Sequence, residues 1–147
     1  TVLTVTSNWE GCSGAFPKNT VDMNGCDFEY RILGGGLTTG TVDIVCPQGE
    51  EITKTAFYAT GILKCTLHIP PQAGIGPVTY TNIGGPTVTR QITVDVNANN
   101  LKYSHTAGVG LGACTGGAAI NGVLRYKTVW TGELHGGGPH VGLFLTP

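Results

Sequence analysis

Charge is scarce in this chain. Asp, Glu, Lys and Arg together make up 12% of the 147 residues and nearly cancel, leaving a formal net charge of −1; an ordinary soluble domain carries about twice that charged fraction. The balance excludes the basic footprint that nucleic acid or an anionic membrane surface requires. It also leaves little repulsion between copies of the chain. No apolar run is long enough to cross a bilayer as a helix, so no transmembrane segment is expected. The five cysteines never fall as C-x-x-C, which argues against a zinc knuckle or a thioredoxin-like redox motif. The serines are Ser7, Ser13 and Ser104, and none sits in G-x-S-x-G. The run "HGGG" at 135–138 therefore lacks the nucleophile elbow beside which it would serve as an oxyanion hole. "GVGLGACTGG" lacks the strand-then-helix setting of a dinucleotide fingerprint, and the first acid after it is Glu133. No segment shows a convincing 3.6-residue apolar period.

Period-two alternation is abundant. It runs through "DFEYRIL", with Phe28, Tyr30 and Ile32 inward and Glu29 and Arg31 outward, and through "TVDIVC", "ILKCTLHI", "VTYTNI", "TVTRQITVDV", "LKYSH", "VLRYKTVW" and "VGLFL". With "TVLTVT" and "EITKTAFYA" added, about ten strands are predicted. They are separated by clusters such as "LGGGLTTG", "PQGEE", "PPQAGIGP", "GGPT" and "GGGP". The expected fold is all-β: an antiparallel β-sandwich or flattened barrel, stapled by disulfides. The size fits one domain over 1–147. It starts at "TVLTVT" with no initiator Met, which reads as a mature form left after signal-peptide removal, or as a trimmed chain lacking an upstream segment. "HTAGVGLGACTGGAAING", 105–122, does not alternate and reads as a long loop. Its closing Asn121-Gly122 reads as a hairpin turn into the strand of Tyr126 and Trp130.

Cysteines occur at 12, 26, 46, 65 and 114, and disulfides imply an exported protein. Val42, Ile44 and Cys46 share one face of their strand; Leu63, Cys65, Leu67 and Ile69 share one of theirs. With both cysteines inward, Cys46–Cys65 is the first pairing expected. Cys12 and Cys26 flank a turn-rich segment that they could staple, for about 3 kcal/mol in the chain-entropy model. Cys114 is then left free, joined to another chain, or paired upstream of residue 1.

Candidate ligand contacts are Trp9, Tyr103, Trp130, His135 and His140. His135 and His140 could converge around a turn, but H-x-x-x-x-H on a loop is not a recurring zinc pattern, and the nine acids are too scattered for calcium. No metal, cofactor or catalytic residue is expected. His68 alternates outward and reads as a solvated side chain. Exposed aromatics could hold a sugar, although core packing is the commoner use of such residues.

The segments "GTVDIVCPQGEEI", "LKCTLHIPPQAGIGPVTYTNIG" and "TVTRQITVDVNANNLKYSHTAG", with the final G-x-x-x-Y-x-x-x-V strand and "HVGLFL", resemble a group of uncharacterised small secreted all-β proteins of soil actinobacteria. The resemblance covers residues 5–145 and implies secretion. It implies no activity and no catalytic residue. It also implies a further cysteine upstream of the first strand, a partner for Cys114.

Three functions are open to such a chain. The first is a non-enzymatic extracellular or cell-surface structural module that self-associates as a homo-oligomer or polymer, a coat or filament subunit, with "TVLTVT" and "VGLFL" as pairing edges. The second is a carbohydrate-binding or small-ligand-binding module in contact with glycan or the cell envelope. The third is a small secreted hydrolase.

Overall fold

The computed structural model describes residues 2–7, 18–33, 38–57, 64–84, 91–106, 117–133 and 140–142. Its strands are β1 (Val2–Val5), β2 (Lys18–Asp22), β3 (Asp27–Ile32), β4 (Thr39–Val45), β5 (Ile52–Phe57), β6 (Lys64–Ile69), β7 (Gln72–Ile83), β8 (Gln91–Thr106), β9 (Gly117–Trp130), β10 (Gly132–Glu133) and β11 (His140–Val141). The described residues contain no helix. Every pairing is antiparallel. The all-β, antiparallel, disulfide-stapled class expected from the alternation is what the chain forms, as one open nine-stranded sheet plus the β10–β11 pair.

The sheet is organised around β8. Along one edge, its first half pairs with β7 (Val78–Ile83 against Gln91–Val96) and its last three residues pair with β6. Along the other edge, β9 follows it for nearly its whole length. The sheet thus has a body, β1-β3-β4-β7-β8-β9, and an arm, β2-β5-β6-β8-β9, which share the two long strands. The body curls. Tyr30 on β3 and Trp130 on β9 lie four strands apart in the order, yet their rings meet edge to face at 4.7 Å. Inside the curl is the core: Phe28, Tyr30, Val42, Ile44, Ile75, Val78, Tyr80, Ile92, Val94, Val96, Ala98 and Leu101, joined by Ile52 from the arm. Burying this set inside the curl is the main stabilising term, roughly 1.5–3 kcal/mol for each large aliphatic or aromatic side chain.

Where body becomes arm, the register slips twice and recovers. Ala98 faces Leu124, Leu101 faces Gly122 and Tyr103 faces Ala119. One extra residue sits on β8 between Ala98 and Leu101, and one on β9 between Ala119 and Gly122, so the two bulges offset each other. Gly122 is required here. An added Cβ would lie 2.5 Å from the Tyr103 ring and 2.8 Å from the Leu101 carbonyl oxygen. Two side-chain amides fill the gap left where β7 departs from β8. Asn100 donates to the Gly74 carbonyl at 2.9 Å and accepts from the Gly76 N–H at 3.2 Å. Gln72 accepts from the Lys102 N–H at 2.8 Å and donates to its carbonyl at 2.9 Å.

These features correct four expectations. "LKYSH" is not a separate strand but the second half of β8. Asn121-Gly122 is not a hairpin turn but the bulge inside β9. The supposed loop 105–122 is strand at 105–106 and 117–122, and 107–116 lies outside the described residues. "QAGIGP" is not a break but the start of β7, which holds Gly74 at φ 72° and the cis Gly76–Pro77 bond. In each place a turn-forming residue sits in a bulge that neighbouring strands hold open.

The disulfide pattern also differs. Cys26 is bonded to Cys46, with Cα atoms 4.0 Å apart. Neither Cys46–Cys65 nor Cys12–Cys26 can then form. Asp27 and Val45 are register partners, and Cys26 and Cys46 are the next pair outward at the open end of the β3–β4 hairpin. β6, which carries Cys65, is separated from β4 by β7 and β8. Facing inward did not make two strands neighbours. Cys65 is itself disulfide-bonded, and both Cys12 and Cys114 lie outside the described residues. The disulfides are consistent with an extracellular setting, and no helix among the described residues is long and apolar enough to cross a membrane.

Candidate functional site

The body does not close. β1 is hydrogen-bonded only to β3, and β9 is paired only with β8 among the described strands. Between these two strands lies a cleft of ≈ 340 Å³ lined by Val5, Ser7, Tyr30, Tyr126, Lys127, Thr128 and Trp130. Its size is at the lower end of small-ligand pockets. Alternation places Tyr126, Thr128 and Trp130 on the inner face of β9 and Lys127 on the outer one, and Lys127 Nζ is 4.0 Å from Asp95 Oδ2. Behind the cleft, Tyr80 tilts against Trp130 with ring centroids 6.4 Å apart. The Tyr80 hydroxyl is buried with no hydrogen-bond partner, and desolvation pushes its pKa up to about 12. Burial raises the Tyr126 pKa as well.

Of the predicted ligand contacts, Trp130 lines this cleft. Tyr103 does not. It lies on β8 in the arm, edge to face with His105 at 5.0 Å, and its register partner Ala119 is eleven residues from Trp130 along β9, roughly 35 Å of strand. His140 lies on β11, whose pairing with β10 sets Glu133 opposite His140. The antiparallel β10–β11 pair fits a strand connection around "HGGG", while 135–138 itself, Trp9 and His135 lie outside the described residues. The predicted set is therefore not brought together.

The arm carries a hydrogen-bonded chain that the alternation did not disclose. His68 is not simply solvated: its Nδ1 lies 2.6 Å from Glu51 Oε1, and its Nε2 lies 2.7 Å from Thr106 Oγ1. That order of carboxylate, imidazole and hydroxyl serves nucleophilic hydrolysis when the hydroxyl faces a bound acyl group. Here it spans an open sheet face and clamps β6 to β8, which share only three register pairs. The signal available in sequence was an outward His on a Thr-rich strand; Glu51, 17 residues away, could not be singled out. On the outer face of the body, Asp43 is buried yet satisfied. It accepts from Arg31 Nε and from the Gly74 N–H at 2.8 Å, and Arg31 also holds Glu29 at 2.8 Å. The bond to Asp43 is the main cause that raises the Arg31 pKa. Among the described residues, no three His, Cys, Asp or Glu side chains converge as a metal site would require.

Fold and cleft together define a disulfide-stapled, open-edged antiparallel β module. No protein family, no curated protein and no solved structure matches the chain.

Proposed function

We propose that the chain is a non-enzymatic structural module that acts outside the cell by associating with copies of itself, as a subunit of a surface coat or filament. The observation that carries this reading is where apolar surface remains uncovered. Eight large aliphatic residues are exposed among those described, and five of them, Val2, Leu3, Ile120, Val123 and Val129, lie on β1 and β9. Those are two of the three strands of the nine-stranded sheet that have a single neighbour. Scattered exposed aliphatics are ordinary, but their concentration on open sheet edges marks surfaces suited to strand pairing. A net charge of −1 offers little opposition to such contacts.

Sedimentation velocity of the non-reduced protein across a range of concentrations tests the reading. Species at multiples of 15.2 kDa that grow with concentration are expected. A single monomer boundary throughout would overturn it.

A second reading rests on the cleft. Trp130, Tyr30 and Val5 offer an apolar floor, with Ser7 and Thr128 hydroxyls beside it, a combination suited to a small amphipathic ligand such as a sugar ring. Silence on a glycan array together with unchanged Trp fluorescence would remove this reading.

A further inference from the structure

The three strands of the nine-stranded sheet that have a single neighbour are not equally open to pairing. β2 ends at the exposed Asp22, so a charge stands on its free edge. β9 carries exposed Arg125 and Lys127, and its edge is broken by the bulge between Ala119 and Gly122. Charged side chains and bulges are the devices that protect sheet edges from unwanted partners. β1 has neither. Its residues are Val2, Leu3, Thr4 and Val5, without charge or proline, and its register against β3 runs without a shift.

Leu3 gives the more pointed sign. Its register partner is Tyr30, so it belongs to the face that holds the buried core, yet it is 44% exposed while Tyr30 is 3% exposed. A core-facing leucine is left uncovered because no described strand follows β1.

We infer that β1 is the assembly edge and that its partner is β1 of a second copy, paired antiparallel about a two-fold axis normal to the sheet. This rests on the self-association reading. An axis of that kind keeps the core face of one copy continuous with the core face of the other, so only residues of like facing can stand opposite each other. Centring it on Thr4 sets Thr4 opposite Thr4, Leu3 opposite Val5, and Val2 opposite Thr6. Leu3 and Val5 then meet across the core face, while Thr4 meets Thr4 and Val2 meets Thr6 on the outer face, with no charge brought opposite a like charge. The corresponding arrangement of β9 centred on Tyr126 would set Arg125 against Lys127, a destabilising pair. Five residues from each copy make a small interface, so the dimer is reversible and concentration-dependent.

The experiment combines sedimentation of wild type with substitutions at exposed positions of β1 and β9. Thr4→Lys sets two ammonium groups against each other across the axis and is expected to weaken dimerisation about tenfold or more, with the far-UV and near-UV circular dichroism unchanged. Thr4→Cys is expected to give a dimer on a non-reducing gel after mild oxidation, because directly opposite residues lie within reach of a disulfide, whereas Arg125→Cys combined with Lys127→Cys, which would stand opposite each other across a β9 axis at Tyr126, does not. If wild type associates but Thr4→Lys associates equally well, or the Arg125→Cys, Lys127→Cys double variant crosslinks in preference to Thr4→Cys, the β1 assignment falls while self-association stands. If wild type remains monomeric at every concentration, both fall.

Discussion

Body and arm are built on the same two long strands with the same alternation, and they differ in what the alternation buries. In the body, Val42, Val78 and Val94 are fully buried and Ile75 and Val96 are 1% exposed, because the curl brings other strands over them. In the arm, Cys65, Thr66, Leu67, His68 and Ile69 are all only half-buried. One register line across four arm strands reads Thr20, Thr55, Thr66, Thr106, a face of methyls and hydroxyls that water can cover. Alternation specifies which side chains share a face; depth depends on whether something folds over that face. Stability is therefore expected to reside in the body, and the arm to respond mildly to the same kind of change.

The largest contrast should come from truncation. Ile75→Ala, in the body, is expected to cost roughly 2–5 kcal/mol, whereas Leu67→Ala, in the arm, should cost less than half as much because it removes less buried surface. Urea midpoints of the two variants give the comparison, and equal losses would break it. Next, Cys26→Ser with Cys46→Ser removes a link across 20 residues at the end of the β3–β4 hairpin, for a loss of about 3 kcal/mol. That loss should appear as a lower melting temperature in calorimetry.

Gly122→Ala tests the join. The new methyl meets the Tyr103 ring and the Leu101 carbonyl, and overpacking of this kind costs roughly 1–3 kcal/mol. Amide exchange should show the loosening concentrated around the bulges.

The smallest effect belongs to Tyr80. Its hydroxyl is buried and unpartnered, so Tyr80→Phe should be neutral or stabilising by about 1 kcal/mol. The wild-type side chain also predicts an alkaline limit. Its folded pKa of about 12 lies above the ordinary value of 10.0, so the unfolded chain gives up that proton first. The associated stability is present below pH 10 and lost as pH rises through 12. Unfolding at neutral and alkaline pH should show a shallower alkaline decline in Tyr80→Phe, with Tyr126 contributing to what remains.

Much of the body was legible in the sequence. Phe28 and Tyr30, Val42 and Ile44, and Ile92, Val94 and Val96 all announce their faces by local alternation. Strand continuity was not. β7 passes through Gly74 to Pro77, β8 through Asn97 to Asn100, and β9 through Asn121-Gly122, and each dip looks like a turn until Asn100, Gln72 and a neighbouring strand bridge it. The Cys26–Cys46 bond escaped for a related reason, since both Cys46 and Cys65 face inward and only the strand order separates them. Of the site, Trp130 was visible as an aromatic at the end of a strand. Val5 and Tyr30, which complete the cleft with it, come from the opposite end of the chain and meet it only when the body curls.

The paired bulges between body and arm take up length without touching the facing of either strand. Each absorbs its extra residue inside its own strand, so Ala98, Leu101 and Tyr103 on β8 and Leu124, Gly122 and Ala119 on β9 keep to one face on both sides of the bend. What the bulges move is the offset of one strand against the other, which slips by one residue at the first and returns at the second. A single-residue deletion at Asn99–Asn100 or at Ile120–Asn121 is therefore expected to leave Tyr103 and Leu67 on the inner face, with its cost confined to the bend. The join is a place where the chain can change length while the arm keeps its orientation.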